Sequence, residues 1–502
     1  MNKPNSISFL IISLYFPWLL SSLLKDDAVL SYFIAWLGSF FIFYQTWSSS
    51  YRFVLPDLPI YKQIMRPLFL QQLIFAGFMC CSSIFYFLNH LGYQYFEKVS
   101  EVSSSTDILL TIAKCQRMSL LAHAALVNGI LLIQRRHINT RPLYQSESRN
   151  SESGWLIKIC VVTFFLSVLM ERISGLYQFS IGLYNVAIFS GSVILVKGIR
   201  NRKTDLLLIG GSIFLANLIN STLTGYKEHI LVNFIILFCL LFPYYKKTVI
   251  ITSIPLFLIL FYVLPTYAMI LRSQSWGGET SVEDARSTAV ETILSEENET
   301  LAETNWIFLT NRLSEINMFT QFVESTPNEI PYYGLTIISN SLQSIIPRVL
   351  WTDKPITENL AMERVYNAAV VDSESNVSAK TRPVVDGYLS AGLLGVFIYM
   401  LSLGALSQAI NNIAENLFGG YEIGCIIFFN GFYQTLWRGE TTEFMVNSIF
   451  WSFVMMLIVF RILKAAKYIK RVRNEKEVLV YPRKTTDLEK FNHSSPASKL
   501  LN

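Results

Sequence analysis

The sequence predicts an all-α fold: a polytopic helical integral membrane protein with about twelve transmembrane helices and one large extracytoplasmic loop containing short amphipathic helices. Three observations carry this reading. Only 15% of the 502 residues are charged, where soluble domains carry about 25%. The charges are segregated, leaving apolar runs long enough to cross a hydrocarbon core of about 30 Å. Lys and Arg gather in alternate loops, the pattern that sets membrane orientation. The segments of about ten alternating residues that a β-barrel requires are absent.

Taken in order, the spans are read over Ile7–Leu24, Ala28–Trp47, Leu68–Leu91 and Ile108–Ile133, the last interrupted by Lys114 and Arg117. Trp155–Met170, Tyr177–Val196, Asp205–Ser221, the short Ile230–Pro243 and Thr248–Ile270 complete a bundle over residues 1–270. A polar insert, 271–386, follows. Tyr388–Ala409, Tyr421–Trp437 and Phe444–Leu463 form the spans of 387–465, and 466–502 is a basic, partly disordered tail. The first apolar run has one preceding lysine, Lys3, and no small-residue cleavage site, so it reads as a span rather than a removed signal. With the N-terminus inside, short inside loops hold roughly 14 Lys/Arg and short outside loops roughly 5. Both termini are therefore expected in the cytoplasm and the insert outside.

The net charge of +5 conceals an insert with 17 acids and 8 bases. The remaining basicity follows topology, and no water-exposed basic domain exists to bind nucleic acid. The cysteines, Cys80, Cys81, Cys115, Cys160, Cys239 and Cys425, all lie in or beside apolar spans. That placement suits small packing residues and implies neither a disulfide framework nor a thiolate metal site. The acids of Ser273–Thr304 lack a calcium-loop pattern and read as a solvated excursion, so no metal and no cofactor is expected. No internal repeat marks an inverted-repeat transporter.

Within the insert, Trp306, Leu309, Leu313, Ile316, Phe319, Phe322 and Val323 recur at helical spacing, predicting an amphipathic helix. Arg312 falls near that stripe, either snorkelling to headgroups or serving a site. Leu335–Ile346 reads as a second helix, ended by Pro347. Pro347 and Pro355 bracket Arg348, Trp351, Asp353 and Lys354. Cations held in a rigid loop suit phosphate or diphosphate. The same residues would also suit a headgroup anchor with Trp351 at the interface. Charges at span edges are costly and mark either a site or a structural ion pair. Lys114, Arg117, Glu171-Arg172, Lys227-Glu228-His229 and Arg438-Gly439-Glu440 are of this kind.

The string Ile346-Pro347-Arg348-Val349-Leu350-Trp351-Thr352-Asp353-Lys354-Pro355 resembles a signature of Wzy-type O-antigen and oligosaccharide repeat-unit polymerases. Asn311-Arg312-Leu313 resembles the arginine these proteins carry early in the same loop. The run from Asp386-Gly387-Tyr388 to Gly395-Val396 resembles their glycine-bearing re-entry into the membrane, and Arg438-Gly439-Glu440 their Arg-Gly-acid motif. The resemblance covers roughly Asn311–Glu443. One departure is Asp386-Gly387, where the family pattern leads one to expect a glutamate near the tyrosine.

The resemblance implies a membrane glycosyltransferase that moves a growing glycan from undecaprenyl diphosphate to the next lipid-linked repeat unit on the outer face. The partners it implies are undecaprenyl-diphosphate-linked oligosaccharides, membrane lipids, a chain-length regulator and a flippase. Arg348, Arg312 and Arg438, supported by Lys354, would stabilise charge growing on the departing diphosphate. Glu440 leads Glu443, Asp353 and Asp386 as the group orienting the acceptor hydroxyl. Trp351, Tyr388 and Trp437 would stack on sugars or anchor at the interface. An O-antigen ligase is the nearest alternative, disfavoured because the insert contains no histidine. A transporter or flippase would instead place charges at mid-membrane and carry a small outer loop.

Overall fold

The computed structural model describes residues 10–48, 53–99, 104–135, 142–146, 152–173, 176–223, 227–276, 291, 298–311, 313–348, 350–372 and 379–472. Its elements begin with helices α1 (Phe16–Leu23), α2 (Ala28–Trp47), α3 (Leu70–Ala76) and α4 (Ile84–His90), the last two joined by the π-turn Gly77–Cys81. Next come α5 (Thr106–Arg135), α6 (Glu152–Glu171), α7 (Tyr177–Asn201), α8 (Thr204–Leu223), α9 (Lys227–Leu241) and α10 (Lys246–Trp276). The insert contributes α11 (Asn298–Asn311), α12 (Ile316–Ser325), α13 (Thr336–Ile345) and α14 (Thr357–Asn367). Then follow α15 (Pro383–Phe418), the π-helix Tyr421–Phe429, the short α16 (Asn430–Phe432) and α17 (Gln434–Arg438), and α18 (Thr442–Ala465).

Among the described residues, nine helices are long and apolar enough to cross a membrane, and Ile230–Leu241 and Tyr421–Phe432 are shorter apolar helices. This is a helical membrane protein. The stripe read as one helix over Trp306–Val323 is two helices, α11 and α12, because the chain turns at Ser314 and Glu315. Arg312, most of the acidic excursion, and the tail from 473 onward lie outside the described residues. The start of the basic tail is an ordered strand: Ile469–Arg471 pairs antiparallel with Tyr144–Ser146.

Small residues let the central helices approach closely, as membrane packing requires in the absence of a hydrophobic drive between helices. A Cβ on Gly404 of α15 would strike the Leu126 carbonyl oxygen of α5, and one on Gly129 of α5 would strike that of Leu401. The two glycines thus seat each helix on the other's backbone. Polar side chains lock the same region. Tyr32 of α2 and Gln116 of α5 meet through Ser83 at the start of α4, and Thr46 of α2 and His123 of α5 through Gln72 of α3, all fully buried.

The two ends of α15 are each held by a buried arginine. At its C-terminal end Arg66 makes paired hydrogen bonds to Asp57 (2.8 and 2.6 Å) and to Glu415 (2.9 and 2.8 Å). Burial opposes its charge, but those carboxylates hold the guanidinium above its ordinary pKa.

The span read at Tyr388–Ala409 is part of a longer, broken helix. Ala391 (φ −158°, ψ 33°) and Gly392 (φ 60°, ψ −139°) are non-helical. In a continuous helix Gly387 and Gly395 would stand about 12 Å apart. Here a Cβ on Gly395 would strike the Gly387 carbonyl oxygen, so the limbs before and after the break fold against each other. The carbonyls freed by the break are satisfied by the Tyr333 N–H, donating to Leu389 O at 2.9 Å, and the Gly334 N–H, donating to Ser390 O at 3.1 Å.

Replacing Gly404 by Leu should separate α5 from α15 and sharply lower the thermal midpoint of the detergent-solubilised protein. Gly211→Ala is the control: a Cβ there meets nothing within 4 Å, and alanine is favoured in a helix by about 1 kcal/mol. Its melt, followed by size-exclusion chromatography, should be unchanged or raised.

Candidate functional site

The N-terminal end of α18 is organised by a second buried arginine. Arg364 of α14, only 2% exposed, donates from Nη1 and Nη2 to both oxygens of Glu443, each at 2.8 Å. Its Nε donates to Asp386 at 2.9 Å. Asp386 also accepts the Thr381 hydroxyl at 2.5 Å, and its second oxygen accepts the Thr442 N–H at 2.8 Å and the Thr442 hydroxyl at 2.7 Å. Thr442 is the first residue of α18, and its N-cap Thr441 makes no side-chain cap bond. Asp386 therefore caps α18 from another helix, and its charge is favoured at that helix N-terminus. Burial disfavours charge on Arg364, but the carboxylates on both sides hold its pKa above the ordinary value.

Beside this cluster, Arg382 gathers four segments. Its Nη1 donates to the carbonyls of Arg438 (3.1 Å) and Gly439 (2.5 Å), and its Nη2 reaches Glu315 at 3.3 Å. The guanidinium also sits 5.4 Å over the Phe78 ring. Gly439 has φ 76°, so a side chain there would be strained. Half-buried Arg438 and Glu440 flank this turn. Glu440 pairs with Lys380 at 2.8 Å, and Lys380 lies 5.7 Å over the Phe444 ring.

Arg438, Glu440 and Lys380 line one end of a cavity of about 350 Å³ between α7, α16, α17 and α18. Asn185, Gln434, Asn447 and Ser448 form its polar wall, and Phe179, Phe432, Trp451 and Met455 its apolar part. From Phe444 to Met455, the part of α18 that lines it, the axis advances about 16 Å, so the cavity runs along a helix long and apolar enough to cross a membrane. The size falls in the range of small-molecule sites, about 300–1,000 Å³.

The proline-bracketed loop adjoins this cavity through Trp451. The Trp451 indole donates to Ile345 O at 3.1 Å, at the C-terminus of α13. Lys354 caps the same terminus, its ammonium donating to Ser344 O at 2.7 Å and Ile346 O at 2.9 Å. Burial and the adjacent charge of Arg348 lower the Lys354 pKa. Arg348 and Asp353 are exposed and Trp351 is half-buried.

Of the residues singled out in the sequence, Arg438 and Glu440 line the cavity, while Lys354 sits at the C-terminus of α13 with Arg348 near it. Asp386 and Tyr388 do not face it. Asp386 is committed to Arg364 and to the α18 terminus. Tyr388 is buried, donates its hydroxyl to Thr326 O at 2.7 Å, and packs edge-on against Phe319 and Tyr332. The sequence marks Arg382 beside Asp386 at the end of the insert but assigns it no role, and it singles out neither Arg364 nor Lys380. A signal for Arg364 existed: it flanks the buried stripe of Ala361 and Val365 on α14, and a charge on an apolar face implies a buried partner. Lys380 and Arg382 carried no periodic signal, because their partners are remote in sequence.

A helical membrane protein with a charged-ended cavity running between its spans is the class that this fold and site define. Residues 16–471 match the family described as a domain of unknown function (DUF8712), and the chain belongs to that family. No curated protein and no solved structure matches it.

Arg364→Met removes the only cation of a buried triad and strands two carboxylates. Breaking such a pair costs about 3–5 kcal/mol, so this variant should fail to accumulate or melt far below the parent. Glu440→Gln breaks a partly exposed pair, worth about 0–1 kcal/mol, and should melt with the parent. Similar losses in both would remove the distinction drawn between the two ion pairs.

Proposed function

We propose that the protein is a polymerase of lipid-linked oligosaccharide repeat units, transferring a growing glycan from undecaprenyl diphosphate to the next unit on the outer face of a bacterial plasma membrane. The observation that carries this reading is the cavity with Lys380, Arg438 and Glu440 at one end and an apolar extension along α18. An amphiphile with an anionic head and a hydrocarbon tail fits such a lining. The resemblance over Asn311–Glu443 supplies the reaction. The proposed topology has twelve spans, both termini cytoplasmic and the insert outside, and is supported by the loop count of Lys and Arg.

In this reading Arg438 meets the diphosphate, and Arg348 is the second cation offered to it. Charge develops on the diphosphate as its bond to the glycan breaks, and fixed guanidinium groups stabilise that state more than the ground state. Glu440 orients the acceptor hydroxyl. Arg382 is a positioning residue that holds the backbone of Arg438 and Gly439. The amide wall of Asn185, Gln434 and Asn447 suits sugar hydroxyls. No metal or cofactor is required for this transfer.

A second reading, transport of the lipid-linked unit, is favoured by the buried polar seam of Thr46, Gln72 and His123 within the spans. One experiment separates the two. Deleting the gene should leave surface glycan of single repeat units. Loss of all surface glycan would support transport, and an unchanged chain length would sink both. In the deletion strain, Arg438→Ala should accumulate in the membrane yet restore at least 100-fold less polymer than the parent. Arg382→Gln should reduce polymer less than Arg438→Ala. Full polymer from Arg438→Ala would exclude Arg438 from the reaction.

A further inference from the structure

Helix α13 turns two serines inward and its leucine outward. A short helix packed on a water-soluble surface buries its leucine and isoleucine side and exposes its serines. On α13 that division is partly reversed, although Ser339 is exposed and Ile337 is buried. Ser341 (1% exposed) and Ser344 (4%) face inward with Ile337, while Leu335 (76%) and Leu342 (60%) stand outward on one stripe with Ile338 and Ile346. The inward serines are satisfied locally. Ser341 donates to Ile337 O at 2.6 Å, and Ser344 approaches Ser341 O at 2.6 Å and Glu443 O at 2.9 Å. Leu350 (79%) continues the outward apolar side past Pro347.

We infer that α13 and the loop to Leu350 form an interfacial lipid-binding surface, with the outward stripe against acyl chains and Arg348 at the level of lipid phosphates. Three observations select lipid as the occupant. The inward side of α13 is seated on α18, itself a membrane-crossing candidate, through Ser344 and the Trp451 indole. At about 15 Å long the helix is too short to span, and an amphipathic helix of that length suits the interface of one leaflet. The exposed Arg348 and the Lys354 ammonium stand at the C-terminal end of the stripe, which gives complementarity to anionic headgroups. The inference does not rest on the polymerase reading and holds whatever the cavity binds.

The test places nitroxides at Leu335 and Leu342, and at the exposed Glu363 of α14 as a control. The full chain is used with its six cysteines replaced, in vesicles of phosphatidylcholine and phosphatidylglycerol. At Leu335 and Leu342 the ratio of collisions with oxygen to collisions with a water-soluble nickel chelate should be several-fold higher than at Glu363. Ratios equal to that at Glu363 would overturn the inference. Spin–spin broadening that disappears on dilution with unlabelled protein would also overturn it, by showing a second copy on the stripe. A measurement on the unsubstituted chain guards against damage from labelling. Hydroxyl-radical footprinting in lipid nanodiscs should leave Leu335, Leu342 and Leu350 unmodified, and oxidation there at the rate of exposed soluble leucines would refute lipid cover.

Discussion

A guanidinium shut away from water must be matched by carboxylates and hydrogen bonds, or its desolvation cost goes unmet. Arg364 meets that condition by drawing Asp386 from α15 and Glu443 from α18. The second carboxylate charge is offset by the N-terminus of α18, whose first N–H points at Asp386. Three segments remote in sequence are thereby held in one register. Lys380, Arg382, Arg438 and Glu440 all lie within a few residues of these anchors, so the cavity's charged end inherits their rigidity. Without that pairing, the Arg438–Glu440 turn would hang from two unanchored helix ends.

Arg66 does the equivalent work at the other end of α15, joining Asp57 and Glu415. Between the two arginine clusters, glycines replace charges as the means of close approach. Gly129 and Gly404 seat α5 on α15, and the break at Ala391-Gly392 brings Gly387 onto Gly395. The division is what a hydrocarbon solvent imposes. Ion pairs are affordable near the helix ends, and mid-span contacts depend on backbone proximity and on neutral hydrogen bonds such as Gln72 to His123.

The same solvent accounts for α13. A leucine stripe turned outward is unfavourable in water and favourable against acyl chains, and serines turned inward are tolerated because each finds a carbonyl. The cavity lies directly behind this helix, with Trp451 shared between the two. A ligand with a hydrocarbon tail and an anionic head could therefore approach from the leaflet, past Arg348, without crossing the aqueous phase. That route agrees with the proposed lipid-diphosphate donor.

The sequence alone determined the helical membrane class and several of the long helices, because hydrophobic length and helical period are local properties. Ala28–Trp47 is reproduced residue for residue, and the span read at Phe444–Leu463 lies within α18. It also pointed to Arg438 and Glu440, since charges beside an apolar span stand out in any hydropathy reading. Only the tertiary structure decided that Asp386 and Tyr388 serve the scaffold, that Arg364 and Arg382 organise the site, and that α13 faces outward with its leucines. Each depends on partners tens of residues away, as in Arg364 with Glu443 or Arg382 with Gly439. No local pattern encodes such pairings. They exist because burial makes an unpaired charge or backbone group costly, and the chain must fold to find the partner.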